Sequence, residues 1–308
     1  MNICLKGRSM RVICGLALCF LLSGFAGGAA EAKKLLVVTV TTGFRHSSIS
    51  TAEKILSKLA QESGAFTVEF VRQPEVKVKQ PSRLPGPAAD EEMKAKYKAE
   101  MEKYLDEFRP MLKKLSADNL KNYDGLIFAN TTGDLPVPDP QAIVNFVKNG
   151  GAFIGMHSAT DTFHGFKPFI DMIGGEFLSH GAQVGVECLN EDKKHPACAH
   201  LPTKWNVYDE IYILKSFTRS SVHCLLTLDR EPNKKTPGDF PIAWCKEFGA
   251  GKVFYTSLGH REDIWDDQTP ANFDRKNSTE ISLAYQKHIL GGIKWALGLV
   301  PGDGKPGQ

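Results

Sequence analysis

The chain alternates short apolar runs with polar loops and amphipathic stretches. Residues 33–40, 123–130 and 152–156 are apolar on both faces, which is typical of strands in the centre of a parallel sheet. Residues 49–62 and 139–148 lie between such strands and have the periodicity of helices. This order predicts an α/β fold, a doubly wound and mostly parallel sheet flanked by helices.

Other segments of the chain have different patterns. Residues 66–71 and 183–189 alternate between apolar and polar positions, as half-buried strands do. Residues 241–244 and 252–256 read as a closing hairpin around a glycine-rich turn. Residues 283–297 then predict a terminal helix that ends before a glycine.

Two segments depart from this order. Residues 73–86 are rich in proline and lack periodicity, whereas 88–115 are charged and trace one apolar stripe, so we expect a loop and a long amphipathic helix. Together they predict a helical insertion at about 73–118 within a single domain spanning 33–300. Residues 301–308 are predicted to be a disordered tail.

The amino-terminal segment has the organisation of a secretory signal peptide. Three basic residues precede the apolar run 12–22, and small residues ending in Ala30-Glu31-Ala32 follow. The sequence therefore predicts a signal peptide at 1–32 and an exported protein, periplasmic or secreted, without stable membrane association after cleavage. The apolar run is short for a membrane span, and an uncleaved anchor is the alternative.

Charge and cysteine content limit the classes of partner. The 308-residue chain has a formal net charge of +3, and cleavage removes three basic residues and one acidic residue, which leaves +1. That balance gives no electrostatic basis for binding nucleic acid. Four cysteines remain in the mature chain. Cys188 and Cys198 are the first pair to consider for a disulfide, and four buried thiols are the alternative.

Four histidines lie at or just beyond predicted strand ends, where ligands gather in open α/β sheets: His46, His157, His180 and His260. Imidazole is a common ligand for zinc and other first-row metals and an acid–base group near neutral pH. The four residues are therefore candidate ligands for a divalent metal, although each one alone could be an ordinary hydrogen-bonded loop residue. No Gly-x-Gly-x-x-Gly follows the first strand, so no nucleotide cofactor is expected.

Several blocks of the sequence resemble one family. They follow one another in order between about residues 34 and 298: Thr42-Gly43-Phe44-Arg45-His46, Gly133-Asp134, His157-Ser158-Ala159-Thr160-Asp161, Asp209-Glu210-Ile211-Tyr212 and Ser257-Leu258-Gly259-His260. In these blocks the chain is similar to the ThuA-like (trehalose utilisation) family. The resemblance implies a class I glutamine amidotransferase-like, flavodoxin-like fold.

The resemblance also indicates which chemistry to expect. True amidotransferases carry a nucleophilic cysteine at the elbow after the equivalent strand, and His157 occupies that position here. Glutaminase activity is therefore not expected, because thiolate attack has no nucleophile. The family is associated with sugar catabolism, including routes through 3-keto-glycosides. A ketone acidifies the neighbouring C–H, which suits histidine acid–base or metal-assisted chemistry.

These observations predict an exported carbohydrate-catabolism enzyme that acts on a glycoside or 3-keto-sugar. The expected residues by role are catalytic His157, His260, Glu262 and Asp161; substrate-binding Arg45, Thr42, Ser158, Asp134 and Glu210; and metal-binding His46, His157, His180 and His260. One alternative is a non-catalytic sugar-binding or accessory protein that uses Trp205, Trp265 and Phe163. A second is a metal-assisted glycoside hydrolase.

Overall fold

The strands follow the apolar runs of the sequence closely. The computed structural model describes residues 1–2, 31–82, 84, 86–270 and 272–306, so nearly all of the predicted signal peptide lies outside the described residues. Within them the strands are β1 (Lys33–Val38), β2 (Phe66–Val71), β3 (Gly125–Ala129), β4 (Ala152–Met156), β5 (Glu176–His180), β6 (Val184–Asn190), β7 (Lys204–Asp209), β8 (Tyr212–Lys215), β9 (His223–Arg230), β10 (Pro237–Phe248) and β11 (Gly251–Thr256).

Helices connect the parallel strands and close the chain. They are α1 (Ile49–Ser63), α2 (Glu91–Asp106), α3 (Arg109–Leu112), α4 (Ala117–Leu120), α5 (Pro140–Lys148), α6 (Lys167–Ile173), α7 (Glu262–Trp265) and α8 (Thr279–Ala296). A short 3₁₀ turn, His157–Asp161, follows β4 directly. None of the helices in the described residues is long and apolar enough to cross a membrane.

Nine strands form one mixed sheet in the order β2-β1-β3-β4-β11-β10-β9-β6-β7. The five strands from β2 to β11 are parallel to one another, and the other four continue the sheet in antiparallel fashion. This arrangement confirms the predicted α/β fold with a mostly parallel core. A separate two-stranded antiparallel sheet pairs β5 with β8, and we call it the small sheet.

Both faces of the parallel core are buried, as the continuous apolar runs predict. Leu35 and Val37 of β1 pack with α1 and α8 in one core, whereas Leu36 and Val38 pack with α5 and α6 in the other. Alternate side chains of a strand point to opposite faces, so β1 supplies both cores. The helices therefore lie on both sides of the sheet, and its strand ends are left for the site.

The insertion forms two helices instead of the single long one that the apolar stripe predicts. The helix breaks after Asp106, and Pro110 lies in the first turn of α3, where its missing N–H is tolerated. Tyr104, Phe108 and Leu112 pack into the core on the α5 and α6 side, whereas Met93 at the start of α2 is exposed. Only the second half of the stripe is therefore used for packing.

The carboxyl-terminal segment differs from the prediction of a disordered tail. The carbonyl oxygen of Gly302 accepts a 3.0 Å hydrogen bond from Trp295 Nε1, and the backbone N–H of Glu247 donates to Gly304. Gly304 is buried, and it packs so closely on the Trp295 ring that a Cβ on it would lie 2.5 Å from that ring. The predicted disordered tail covered 301–308, whereas over the described residues 301–306 the backbone carbonyls of Gly302 and Gly304 accept hydrogen bonds from the domain.

All four cysteines of the domain carry free thiols and are buried. Cys188 and Cys198 are therefore not joined, and the alternative of buried thiols describes them. Burial raises the thiol pKa of Cys188, Cys198 and Cys245 beyond the range in which a thiolate forms in neutral solution. These side chains act as small apolar groups.

Candidate functional site

Four polar side chains from distant parts of the chain meet at the carboxyl ends of the parallel strands. His46 lies in the loop between β1 and α1, His157 follows β4 directly, and His260 lies in the turn after β11. Glu210 joins them from the turn between β7 and β8. Parallel strands end at the same edge of a sheet, so residues far apart in sequence are neighbours there.

The four side chains form one cluster with the spacing of a metal centre. One ligand-type atom from each of His46, His157, Glu210 and His260 lies within 4.8 Å of all the others. His157 Nε2 is 3.2 Å from His46 Nε2 and 3.8 Å from Glu210 Oε1. Two ligands bound about 2.1 Å from one first-row metal lie roughly 3.0–3.4 Å apart. The cluster is therefore close to a coordination shell.

Hydrogen bonds leave the facing nitrogen of His157 free to bind a ligand. His157 Nδ1 lies 2.8 Å from the carbonyl oxygen of Ser257, so Nδ1 carries the hydrogen and Nε2 keeps its lone pair. Burial lowers the pKa of His157 well below its ordinary value, and burial also lowers the pKa of His46 to about 4. Both rings are therefore neutral at physiological pH, as metal ligation requires.

His260 is the member of the cluster that favours positive charge. Burial lowers its pKa, but the nearby Glu210 carboxylate outweighs that effect and the pKa is raised. His260 Nδ1 lies 3.2 Å from Glu210 Oε1, at ion-pair distance, yet the angle is poor for a hydrogen bond and Nδ1 has no other partner. Charge attraction is less directional than hydrogen bonding, so the ion pair describes this contact better.

The backbone around His260 is held by a buried acid that the sequence did not single out. The carboxylate of Asp209 accepts hydrogen bonds from the backbone N–H groups of Gly259, His260 and Arg261 at 2.7, 3.3 and 3.1 Å. Burial raises the pKa of Asp209 to about 6, although these bonds favour its charged form. The sequence did offer one signal for Asp209, because it stands directly before Glu210 in a block that resembles the ThuA-like family.

His157 occupies a sharp turn of the kind expected for a nucleophile elbow. Its φ of 48° is in the left-handed region, which is uncommon for residues other than glycine. The hydroxyl of Tyr255 donates a 2.7 Å hydrogen bond to the His157 carbonyl, and the ring of Tyr212 lies 4.5 Å from the imidazole between centroids. The turn thus presents an imidazole at the position where the resemblance to amidotransferases would place a thiol.

His180 stands beside the cluster and Glu210 belongs to it, which reverses the predicted roles. His180 ends β5 of the small sheet, its side chain is 43% exposed, and its Nδ1 lies 3.0 Å from Glu210 Oε2. It contributes no atom to the four-residue cluster. The strand-end rule placed His180 among the metal ligands, but β5 is not a strand of the main sheet and ends elsewhere. Glu210, predicted to bind substrate, contributes the fourth ligand-type atom.

Two acids among the predicted catalytic residues, Asp161 and Glu262, do not hydrogen-bond to the imidazoles of the cluster. Asp161 pairs with His164, with 2.5 Å between Oδ1 and Nε2, and His164 also contacts Glu176. Glu262 begins α7 and acts on His260 only through its charge. The sequence showed these acids near a histidine, but hydrogen-bond partners depend on side-chain direction, and His164 lies one turn beyond Asp161.

The predicted substrate-binding residues are divided. Ser158 contacts the cluster, with its hydroxyl 3.4 Å from His46 Nδ1. Thr42 is buried and reaches the carbonyl oxygen of Thr132, and Asp134 is exposed. Arg45 turns away to the carbonyl oxygen of Thr39, 3.0 Å from Nη1. Ser158 is thus the member of this set with a direct hydrogen-bond contact to a cluster side chain.

The aromatic residues proposed for sugar binding lie inside the protein. Trp205, Trp265 and Phe163 are buried in the two cores, as large aromatic side chains commonly are. Phe44 is exposed instead, and its ring lies 4.9 Å from the His46 ring between centroids. A sequence pattern alone cannot separate an aromatic residue of the core from one beside the site.

Comparison with known proteins agrees with the fold and the motifs. Residues 34–296 match the family described as ThuA, trehalose utilisation. A ThuA-like protein from Parabacteroides merdae is 20% identical with a TM-score of 0.58, covering 89% of this chain and 93% of its own. A second ThuA-like protein, from Bacteroides uniformis, is 18% identical with a TM-score of 0.57, and the match covers 89% of this chain and 95% of that protein. No curated protein matches the chain.

Proposed function

Since the chain belongs to the ThuA trehalose-utilisation family and gathers three imidazoles and a carboxylate at one point, we propose that it is a metal-dependent enzyme of carbohydrate catabolism. The metal would be held by His46, His157, Glu210 and His260. The observation that carries the proposal is the approach of two neutral imidazoles, whose Nε2 atoms face each other at 3.2 Å. At this distance the N–H of one neutral ring donates to the lone pair of the other, and a bound cation would take the place of that hydrogen between the two rings.

The donor set fits a first-row divalent metal such as zinc. Imidazole nitrogens with one carboxylate oxygen suit zinc, iron or nickel, and thiolate-preferring ions are not favoured. The carbonyl oxygen of Ser257 fixes the His157 ring, and the Ser158 hydroxyl lies beside the His46 ring. Such outer contacts orient metal-ligating histidines. When bound, the metal would polarise a carbonyl or hydroxyl oxygen of the substrate.

His180 is the residue we assign to proton transfer. It lies on the open side of Glu210 and its side chain is 43% exposed, so solvent and substrate can reach it. A sugar oxidised to a ketone has an acidified C–H next to the carbonyl, and an imidazole can take that proton. His180 would accept the proton and return it during elimination or isomerisation. His180 Nδ1 donates a 2.9 Å hydrogen bond to the carbonyl oxygen of Gly181 and lies 3.0 Å from Glu210 Oε2, which leaves Nε2 for the substrate.

The proposed site also accounts for the rival activities. A metal-assisted glycoside hydrolase would act on the unoxidised sugar at the same cluster. An accessory sugar-binding protein would bind without turnover, and the aromatic residues predicted for that role are buried.

We also propose that the protein is exported. The basic and apolar pattern of residues 1–32 supports export, and fractionation of cells that express the full chain would test it.

The test combines metal analysis with turnover. Purified protein should contain one equivalent of a first-row metal, convert methyl 3-keto-β-D-glucopyranoside, and lose that activity after dialysis against a chelator. Readdition of the metal should restore it. Conversion of the parent glucoside would favour the hydrolase, and binding without product would favour the accessory role. Metal-free protein with full turnover would contradict the proposed centre.

A further inference from the structure

One exposed aromatic side chain lies directly beside the metal-type cluster. Phe44 is 67% exposed, and its ring meets the His46 ring edge-on with 4.9 Å between centroids. Single exposed apolar residues are common on protein surfaces, so exposure alone indicates nothing. The position is what distinguishes Phe44, because it is two residues from a cluster histidine and contacts that ring.

The loop that carries Phe44 is held firmly in place. The hydroxyl of Thr132 donates a 2.8 Å hydrogen bond to the Phe44 carbonyl, and the N–H of Thr42 donates to the Thr132 carbonyl at 3.0 Å. Gln80, from the loop before α2, donates to the Thr42 carbonyl at 2.9 Å. A Cβ at Gly133 would lie 2.5 Å from Thr42 Oγ1, so the two loops are in close contact.

The Phe44 ring contacts the His46 ring and leaves most of its surface in water. A mobile loop could fold the ring against the surface, but three hydrogen bonds hold the loop at Thr42 and Phe44. A ligand that covers the ring would therefore gain apolar burial at little cost in loop ordering.

We propose that Phe44 is a specificity-determining residue that stacks against the C–H face of a pyranose ring and holds it beside the cluster. This inference rests on the proposed function. A pyranose with equatorial hydroxyls has polar edges and two apolar faces, so a flat aromatic ring can cover a face while hydroxyls reach polar groups. A cyclic pyranoside offers such a face and an acyclic sugar does not, so the proposal favours pyranosides as the substrate class.

The experiment compares three variants of the full-length protein. Phe44→Ala removes the ring, Phe44→Trp enlarges it, and Met93→Ala removes a comparably exposed apolar side chain from α2 as a control. The probes are methyl β-D-glucopyranoside for binding by calorimetry and its 3-keto derivative for turnover. Phe44→Ala should weaken binding and raise KM by about tenfold, with kcat within about twofold and metal content unchanged. Met93→Ala should keep the wild-type affinity for the sugar, and Phe44→Trp should keep that affinity or improve it.

The outcomes separate this inference from the proposed function. Unchanged sugar affinity and KM in Phe44→Ala would overturn the stacking role even if turnover is confirmed. A fall in kcat together with metal content would also overturn it, because Phe44 would then merely support His46. Phe44-dependent binding without any turnover would sustain the stacking role and refute the enzymatic proposal. Absence of both binding and turnover in the unmodified protein would reject both.

Discussion

At the scale of single residues, the site depends on which atom of each ring carries a hydrogen. The Ser257 carbonyl assigns the hydrogen of His157 to Nδ1, and this makes Nε2 a ligand atom. The sequence predicted three of the four cluster residues because each histidine follows a strand of the parallel core. It could not predict that Glu210 contributes a ligand-type atom to the cluster and that His180 lies beside it, since both depend on how the β7–β8 turn meets the small sheet.

A residue-scale prediction concerns Glu210→Gln. The substitution keeps the size of the side chain but removes its charge, so the cluster loses its only carboxylate ligand. Metal affinity and turnover should each fall by at least about 100-fold, because even outer contacts of metal ligands are worth 10–100-fold. Metal analysis after dialysis and steady-state kinetics provide the measurement. Glu187→Gln, an exposed acid on β6 that pairs with Lys204, is the control and should match the parent protein.

At the scale of elements, the small sheet of β5 and β8 is fastened to the turn that carries His157. His164 contacts Asp161 through Nε2 at 2.5 Å and Glu176 through Nδ1 at 3.1 Å, and Lys215 reaches Glu176 at 3.1 Å. Asp161 ends the turn, Glu176 begins β5 and Lys215 ends β8. One imidazolium thus links the elements that position His157 and His180.

This link predicts a pH-dependent stability. Hydrogen bonding to Asp161, with help from Glu176, raises the pKa of His164 to about 9. A raised pKa stabilises the folded state fully below about pH 6.5, the unfolded value, and the contribution disappears as pH rises to about 9. His164→Asn should therefore lower the unfolding free energy by about 1 kcal/mol at pH 6, a modest figure because the side chain is 39% exposed.

Urea unfolding of both proteins between pH 6 and pH 9.5 would measure that difference. The two curves should converge near the upper limit, where the parent protein has also lost its positive charge. A gap of the same size at every pH would mean that His164 contributes packing and not charge. His200→Asn, a histidine bound to the Ala284 carbonyl at a distant surface, should produce no convergence of this kind.

Element patterns were the most predictable part of the fold. Continuous apolar runs identified β1, β3 and β4 as central strands because both of their faces are buried. The division of the long apolar stripe into α2 and α3 was not predicted, because the amphipathic pattern continues across Pro110. The small sheet was missed because its short strands pair with each other across intervening chain, and a local pattern carries no information about such pairing.

At the scale of the whole molecule, metal binding should be visible as thermal stability. A ligand present at 100 times its dissociation constant stabilises a protein by about 2.7 kcal/mol, which for a domain of this size raises Tm by roughly 5 °C. Treatment with a chelator should lower Tm by about that amount, and zinc should restore it. Glu210→Gln should show little response to either treatment. A chelator response that persists in this variant would place the metal elsewhere.

The wide separation of the ligands along the chain has a consequence for biosynthesis. His46 and His157 are 111 residues apart, and His260 follows only after β11 has been made. If the proposed metal binds here, a nascent chain that has not reached β11 would hold only part of the coordination shell. Loading of the metal would therefore follow the synthesis of β11. If the chain is exported before it folds, the metal supply outside the cytoplasm decides which ion it acquires, because ligand type alone discriminates poorly among first-row metals.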